Sequence, residues 1–205
     1  MKADPDSVFN LINDPEYMAI AAELRSALHA WQLEVLDTGL IPESERTRMA
    51  ADANLTIYEW AENAEQYPLK SLLHSADMAL EQDYKNHAAL QMLCRSSYLG
   101  ERYWGAVGLF LIKDDSVAAP LLMDESHEVR AIAAWTLIQN GREKEGLSTL
   151  RRLIKNDSYA LLKVLNILDW MGPVAQSLED CLAKKDFQAD ANLKKMQQYL
   201  LHKWN

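Results

Sequence analysis

The residue types that could bind a metal or activate water occur in this sequence without the spacing that such chemistry needs. His127-Glu128 begins the segment HEVRA, which lacks the second histidine that a zinc-binding H-E-x-x-H motif places one helical turn later. No cysteine or carboxylate lies at ligand spacing from the other four histidines, which are His29, His74, His87 and His202. We therefore interpret His127 and Glu128 as residues that cap the start of a helix.

Acidic pairs and a serine pair suggest two further kinds of site, a calcium loop and a nucleophile. Neither Asp114-Asp115 nor Asp4 with Asp6 continues into the alternating acidic pattern around a central glycine that a calcium loop needs. Ser96-Ser97 lies in no G-x-S-x-G elbow and has no histidine partner that the sequence identifies. We predict no catalytic residue, no cofactor-binding residue and no metal ligand in this chain.

The charge distribution argues against nucleic acid and membrane surfaces as partners. The chain has 205 residues and a net charge of −9. Residues 1–100 hold 16 Asp and Glu against 7 Lys and Arg, and residues 101–205 hold 14 of each, so the whole excess lies in the first half. An acidic surface repels polyanions and anionic lipid. We expect neither nucleic acid nor a membrane to bind.

The two cysteines and the apolar segments give no indication of a compartment. Cys94 and Cys181 lie in apolar helical contexts, where a free buried thiol is the usual state. The sequence shows no apolar run of membrane-spanning length and no signal-peptide pattern at its start. The localisation is unknown from these residues. It would be periplasmic or secreted if a longer parent protein carried a signal peptide.

The hydrophobic periodicity predicts an all-α protein. Asp14-Pro15 is a helix start signal, and an apolar stripe follows at spacings of three and four until Thr38-Gly39. The stripe contains Ile20, Leu24, Leu28, Trp31 and Val35. Further helical patterns cover about 43–64, 67–80 and 84–98, and alternation typical of a strand never persists.

A repeat becomes visible after Gly100. Residues 101–109 align with residues 129–137, with Arg102 on Arg130, at a period of 28. Gly141 and Gly172 each close a helix at a period of 31. Second helices of the repeats are predicted at 116–122, 146–155 and 173–184. Paired helices at about thirty residues predict an α-α superhelix, a HEAT/armadillo-like solenoid of about ten or eleven helices. Residues 160–171 would be an inner helix, and the more polar 188–203 a capping helix.

We assign structural roles to six positions of this repeat: Arg102, Trp104, Arg130, Trp135, Gly141 and Gly172. The tryptophans lie on apolar helical stripes, so we expect a core role for them and equally for Trp31, Trp60 and Trp170. A repeated arginine early in an inner helix could bond the carbonyls or carboxylate of the preceding turn and join one repeat to the next. Alternatively, the two arginines could line a concave anion-binding face. We favour the structural role.

The order of segments near the N-terminus resembles a known family. Lys2-Ala3-Asp4-Pro5, Asn10-Leu11 and Asp14-Pro15-Glu16-Tyr17 precede a helix with Leu24-Arg25, Leu28 and Trp31, and then Gly39-Leu40-Ile41-Pro42-Glu43. This order is similar to the C-terminal end of bacterial arylsulfatase-like enzymes. Ser7 departs from it, since the family often has Glu there. Some members continue into HEAT-like repeats, and Tyr58-Glu59-Trp60, Tyr67-Pro68-Leu69 and residues 102–109 resemble that extension.

The resemblance implies a division into two parts. Residues 1–42 would be the tail and helix that follow a sulfatase catalytic domain, and residues 43–205 the HEAT-like repeat domain with its capping helix at 188–203. Such enzymes use a formylglycine made from a C/S-x-P-x-R motif beside a calcium ion. This chain has no such motif, so no catalytic residue is carried over and calcium is expected only in the missing catalytic domain.

Three functions follow as hypotheses. The favoured one is a non-catalytic C-terminal domain of a sulfatase-like hydrolase that packs on its own catalytic domain, shapes the substrate approach, or contacts a protein partner or a second copy through a solenoid face. The alternative is an independent HEAT-like scaffold that binds a peptide or protein. A stand-alone helical-repeat enzyme, such as a bilin lyase or DNA glycosylase, is least favoured, because the glycosylase needs a basic concave face.

Overall fold

The computed structural model describes residues 8–12, 14–156, 158–187 and 190–204. This part of the chain forms twelve α-helices and four 3-10 helices and contains no strand, so the prediction of an all-α protein is confirmed. The α-helices are α1 Met18–Glu34, α2 Glu43–Asp52, α3 Ile57–Glu62, α4 Leu69–Leu80, α5 His87–Leu93, α6 Leu99–Leu111, α7 Ala118–Leu121, α8 His127–Gln139, α9 Glu143–Lys155, α10 Leu161–Met171, α11 Glu179–Ala183 and α12 Ala191–Trp204. The 3-10 helices are Pro15–Tyr17, Thr38–Leu40, Tyr84–Asn86 and Gly172–Leu178.

The predicted helix at 43–64 is wrong in its extent, because the chain forms two helices there. Asn54 has a φ of 56°, in the left-handed region, and this ends α2. Thr56 and Glu59 then form a capping box at the start of α3. The predicted helix at 84–98 likewise ends early, at Leu93. The helix predicted at 188–203 begins at Ala191 and runs to Trp204, and residues 188 and 189 lie outside the described part.

Glycines end two of the longer helices. Gly141 follows α8 with a φ of 82°, and Gly172 follows α10 with a φ of 63°. Side chains with a β-carbon rarely adopt this conformation. After α8, the amide of Arg142 donates to the carbonyl of Leu137 at 2.8 Å, which is the bond expected when a left-handed residue closes a helix.

The longer helices after residue 68 pack mainly on their neighbours in the sequence. α4 contacts α6, α6 contacts α8, α8 contacts α10, and α10 contacts α12. α5 packs on α6, α7 and α9 pack on α8, and α11 packs on α9 and α12. Some of these approaches are close: a β-carbon at Gly105 would lie 2.8 Å from the amide nitrogen of Cys94 and 2.9 Å from the carbonyl oxygen of Leu90.

α1 is attached differently from the other long helices. Its contacts with the rest of the chain come from one side, where His29 meets Asp77 of α4 at 3.2 Å and Leu33 packs against the core around α2 to α4. No residue of α1 is buried. In the part of the chain that the structure describes, no helix is both long and apolar enough to cross a membrane.

Candidate functional site

The predicted apolar stripe of α1 exists, but it faces solvent. Leu24 is 65% exposed and Trp31 is 56% exposed, and the stripe also contains Tyr17, Ile20, Leu28 and Val35, each at least two-fifths exposed. These residues follow at spacings of three and four, so they lie on one side of the helix. We call this set the α1 face. The expectation that Trp31 lies in the core is wrong, because the opposite side of α1 contacts α4.

The chain segment before α1 adds to the same surface. Val8, Phe9, Leu11 and Ile12 are exposed, and residues 10–12 run beside α1 to form an open groove of about 430 Å³ with the α1 face. Contiguous exposed apolar residues rimmed by polar ones are typical of contact surfaces, so this surface is the candidate contact surface of the chain. The other predicted tail residues, Lys2-Ala3-Asp4-Pro5 with Asp6 and Ser7, lie outside the described part.

Arg102 bonds to the turn before α6 and to the turn before α8. Its guanidinium donates to the carbonyls of Ser96 and Ser97 at 3.1 Å each, in the turn before the helix. It also pairs with Asp124 at 2.8 Å and with Glu125 at 2.6 Å, in the turn before α8. The guanidinium is largely buried, so these charge-assisted bonds connect the starts of two neighbouring helices.

Arg130 is placed differently, although it is aligned with Arg102 in the sequence. Only its Nε is bonded, to the carbonyl of Asp124. No ion pair to Arg130 is present among the described residues. The alignment therefore does not give the two arginines the same partners: Arg102 pairs with two carboxylates of the turn before α8, whereas Arg130 bonds to a backbone carbonyl of that turn.

The aromatic positions divide between the core and the surface. Trp60 is buried against Tyr67, and the indole of Trp104 is half-buried and donates to the carbonyl of Leu40 at 2.8 Å. Trp135 is half-buried and stacks on Trp170, with ring centroids 5.4 Å apart. Trp170 itself is 62% exposed, so its expected core role is wrong. It lies in the last turn of α10, and its ring stacks on that of Trp135.

A polar cluster that the sequence did not indicate lies where α2 meets the starts of α8 and α10. Glu45 is fully buried and accepts hydrogen bonds from the hydroxyls of Ser126 and Tyr159, the latter at 2.7 Å. Its other oxygen accepts two bonds from Arg48, at 3.0 and 3.2 Å. Every oxygen of this carboxylate is therefore satisfied. The sequence does not indicate that Glu45 is buried, because it lies in the first turn of a helix, where exposed acidic residues are common.

Glu128 lies beside this cluster and is only partly satisfied. It is buried, its Oε1 accepts from the hydroxyl of Ser44 at 2.6 Å, and its Oε2 has no hydrogen-bond partner among the described residues. Burial raises the pKa of this carboxyl, and Lys163 of α10 opposes the rise only in part. The capping interpretation is wrong for Glu128, because its side chain bonds to Ser44 of α2 and the side chain that caps α8 is that of Ser126.

Two arrangements resemble catalytic groups but do not have the access that chemistry needs. His127 Nδ1 lies 2.9 Å from the hydroxyl of Ser158, but that serine is 2% exposed. Burial raises the pKa of the Cys94 thiol to about 12, so the thiolate is scarce at neutral pH. No group of three or more metal-binding side chains occurs within the described ranges.

We compared the chain with protein families, curated proteins and solved structures. No family model, curated protein or solved structure matches the chain. The resemblance to arylsulfatase-like enzymes therefore stays a prediction from the sequence.

Proposed function

We propose that this chain is a non-catalytic helical-repeat domain of a sulfatase-like hydrolase, and that it docks on the catalytic domain of that enzyme through the α1 face. The observation that carries the proposal is α1 itself, a helix of 17 residues with no buried side chain and a complete apolar stripe in solvent. At about 25 cal/mol per Å² of apolar surface, covering such a stripe stabilises a contact by several kcal/mol.

The position of the exposed residues favours a partner on the N-terminal side of the chain. The apolar surface begins at Val8 and continues to Val35, so it occupies the segment that the resemblance places directly after a catalytic domain. A domain joined covalently there is present at a high effective concentration, so a modest apolar contact is sufficient to hold it. The formylglycine and the calcium would belong to that domain, and the present chain would supply a docking surface.

We further propose that the helices after residue 68 form a HEAT-like solenoid. Its support is the order of contacts, in which α4, α6, α8, α10 and α12 each meet the next member of the series while shorter helices flank them. Repeat proteins are built in this way, since each unit buries its apolar side mainly against its neighbours.

Hydrogen exchange on a longer chain tests the docking. The reading frame is extended upstream of Met1, the longer protein is expressed, and amide exchange in residues 18–34 is compared with that of the present chain. We expect protection of α1 to increase in the longer protein. The substitution Leu24→Glu should abolish this increase, whereas Glu23→Gln, on an exposed neighbouring position, should preserve it. Unchanged exchange in α1 would contradict docking.

The sulfatase assignment has its own tests. The upstream frame should encode a C/S-x-P-x-R motif, and a frame without it would remove the sulfatase parent from the proposal. The present chain alone should not hydrolyse an aryl sulfate, even with calcium added. Turnover above background by the purified chain would show that it is not a non-catalytic domain.

An independent scaffold that binds a peptide or protein is the second candidate, and Trp170 favours it. Tryptophan is enriched among residues that dominate binding energy, and the indole of Trp170 is 62% exposed. For such a scaffold, Trp170→Ala would abolish capture of the partner and Leu24→Glu would not. The docking proposal predicts the reverse.

A further inference from the structure

A small cavity opens between α8, α9 and the turns that precede α8 and α10. Its volume is about 220 Å³, and it is independent of the α1 face. The polar lining consists of two arginines, one histidine and three neutral residues that can donate hydrogen bonds: Arg130, Arg152, His127, Thr149, Asn156 and Ser158. The apolar lining is Leu122, Met123 and Leu153.

The two guanidinium groups retain most of their donors for a ligand. Arg130 uses Nε for the carbonyl of Asp124, and Arg152 uses one terminal nitrogen for the hydroxyl of Thr149 at 3.0 Å. Within the described ranges neither arginine has a carboxylate partner. A guanidinium carries five N–H donors in a planar fork that suits the oxygens of phosphate and carboxylate groups.

Two described carboxylates close to this region, Asp124 and Glu45, already have partners of their own. Asp124 accepts two hydrogen bonds from Arg102 and one from the amide of Ser126. Glu45 is satisfied by Arg48 and two hydroxyls. Among the described residues that line it, the cavity therefore combines two positive charges with a histidine and neutral polar groups and contains no carboxylate, a composition that suits an anion.

We propose that this cavity binds a tetrahedral oxyanion of the phosphate type between Arg130 and Arg152, either as the free ion or as the head group of a small monoester. The exposed side-chain amide of Asn156 would contact a remaining oxygen, and the three apolar side chains would lie against the organic part of an ester. The structural role of Arg102 and the ligand-binding role of Arg130 would then be two separate uses of one repeated position.

The state of His127 offers a readout inside the cavity. Burial lowers the pKa of this imidazole, and Arg130 and Arg48 lower it further, while Glu45 opposes them. Tyr159 stacks on the ring with centroids 4.4 Å apart. A dianion bound at Arg130 would offset the positive field and raise the pKa of His127.

The test titrates the full chain with inorganic phosphate and with phenyl phosphate at constant ionic strength, by calorimetry and by the NMR signal of the His127 ring. We expect saturable binding and a rise in the pKa of His127. Tighter binding of phenyl phosphate would identify a monoester as the ligand, and equal or tighter binding of inorganic phosphate would identify the free ion. No saturation by either below about 10 mM would overturn the proposal.

Two adjacent arginines provide a matched comparison. Arg152→Gln removes a guanidinium that lines the cavity, and Arg151→Gln removes one that instead donates to the carbonyl of Ser177 at 3.2 Å. We expect Arg152→Gln to weaken binding at least about tenfold, as the loss of one charge-assisted contact does, and Arg151→Gln to change it less than about twofold. An equal effect of both, or binding that leaves the His127 signal unmoved, would place the anion elsewhere and refute the assignment. Circular dichroism of both variants shows that they are folded.

Discussion

The buried carboxylate of Glu45 accepts a hydrogen bond from the hydroxyl of Tyr159 at 2.7 Å, although 114 residues separate the two. The same hydroxyl accepts a bond from the amide of His127, and the same carboxylate accepts one from Ser126. The starts of α8 and α10 are therefore both bonded to one side chain of α2. Since each donor would be left without a partner in its absence, this carboxylate fixes where α2 crosses the later helices.

Replacement of Glu45 by Gln should destabilise the chain by about 2–4 kcal/mol, because Arg48 loses its buried counter-ion and an amide nitrogen faces donors. Urea unfolding followed by circular dichroism measures the loss. The control is Glu43→Gln, an exposed position in the first turn of the same helix, which should cost no more than about 1 kcal/mol. Equal losses in the two variants would show that the buried network has no special contribution.

Glu128 should make the stability of the chain fall as the pH rises. Burial raises the pKa of its carboxyl above the ordinary value of 4.5, so the folded state binds this proton more tightly than the unfolded state does. The contribution of Glu128 to stability is therefore fully present below about pH 4 and is lost as the pH rises through the raised pKa. Ser44 and Lys163 are the groups that reduce the cost of the buried charge, and Glu45 increases it.

The variant Glu128→Gln removes that ionisation while it keeps an oxygen for the Ser44 hydroxyl. We expect it to be more stable than the parent chain by about 1–3 kcal/mol at pH 7 and to differ little from it near pH 3.5. Urea midpoints at the two pH values measure this. A variant that is less stable than the parent at pH 7 would mean that the charged carboxylate is stabilising where it lies.

Gly105→Ala should destabilise the contact between α5 and α6. The added β-carbon would meet the amide nitrogen of Cys94 at 2.8 Å and the carbonyl of Leu90 at 2.9 Å, and backbone atoms cannot turn aside as a flexible side chain can. The helices must separate, at an expected cost of about 1–3 kcal/mol despite the higher helix propensity of alanine. A melting temperature equal to or above that of the parent would contradict this close packing.

Much of the secondary structure could be predicted from local signals. Asp14-Pro15 begins a helical turn, and Gly141 and Gly172 end helices because their φ angles exclude most other residues. The break between α2 and α3 was also readable, since Thr56 with Glu59 is a capping pattern. The apolar periodicity continues across this capping pattern, and on periodicity alone residues 43–64 are predicted as one helix that is too long.

The contacts between distant segments could not be predicted in the same way. An acidic residue in the first turn of a helix, such as Glu45, has the same local sequence pattern whether its side chain is solvated or bonded to Tyr159. The bonding of Arg102 to carbonyls five and six residues before it could be anticipated, but its pairing with Asp124 depends on how α6 and α8 pack. Periodicity locates the side of a helix that is apolar, and it does not identify what covers that side, as Trp31 shows.

The exposure of α1 leads to a last prediction, that its apolar stripe contributes little to the stability of this chain. In the double variant Leu24→Gln/Trp31→Gln, both side chains are replaced where they are more than half exposed, so the free energy of unfolding should change by less than about 1 kcal/mol. Leu72→Ala, at a fully buried position of α4, should cost about 2–5 kcal/mol in the same assay. A large loss in the double variant would mean that α1 is covered in solution, by a second copy of the chain if the loss depends on protein concentration. Sedimentation of the parent and the double variant would separate these outcomes, since only a self-associated α1 face gives a mass that the two substitutions reduce.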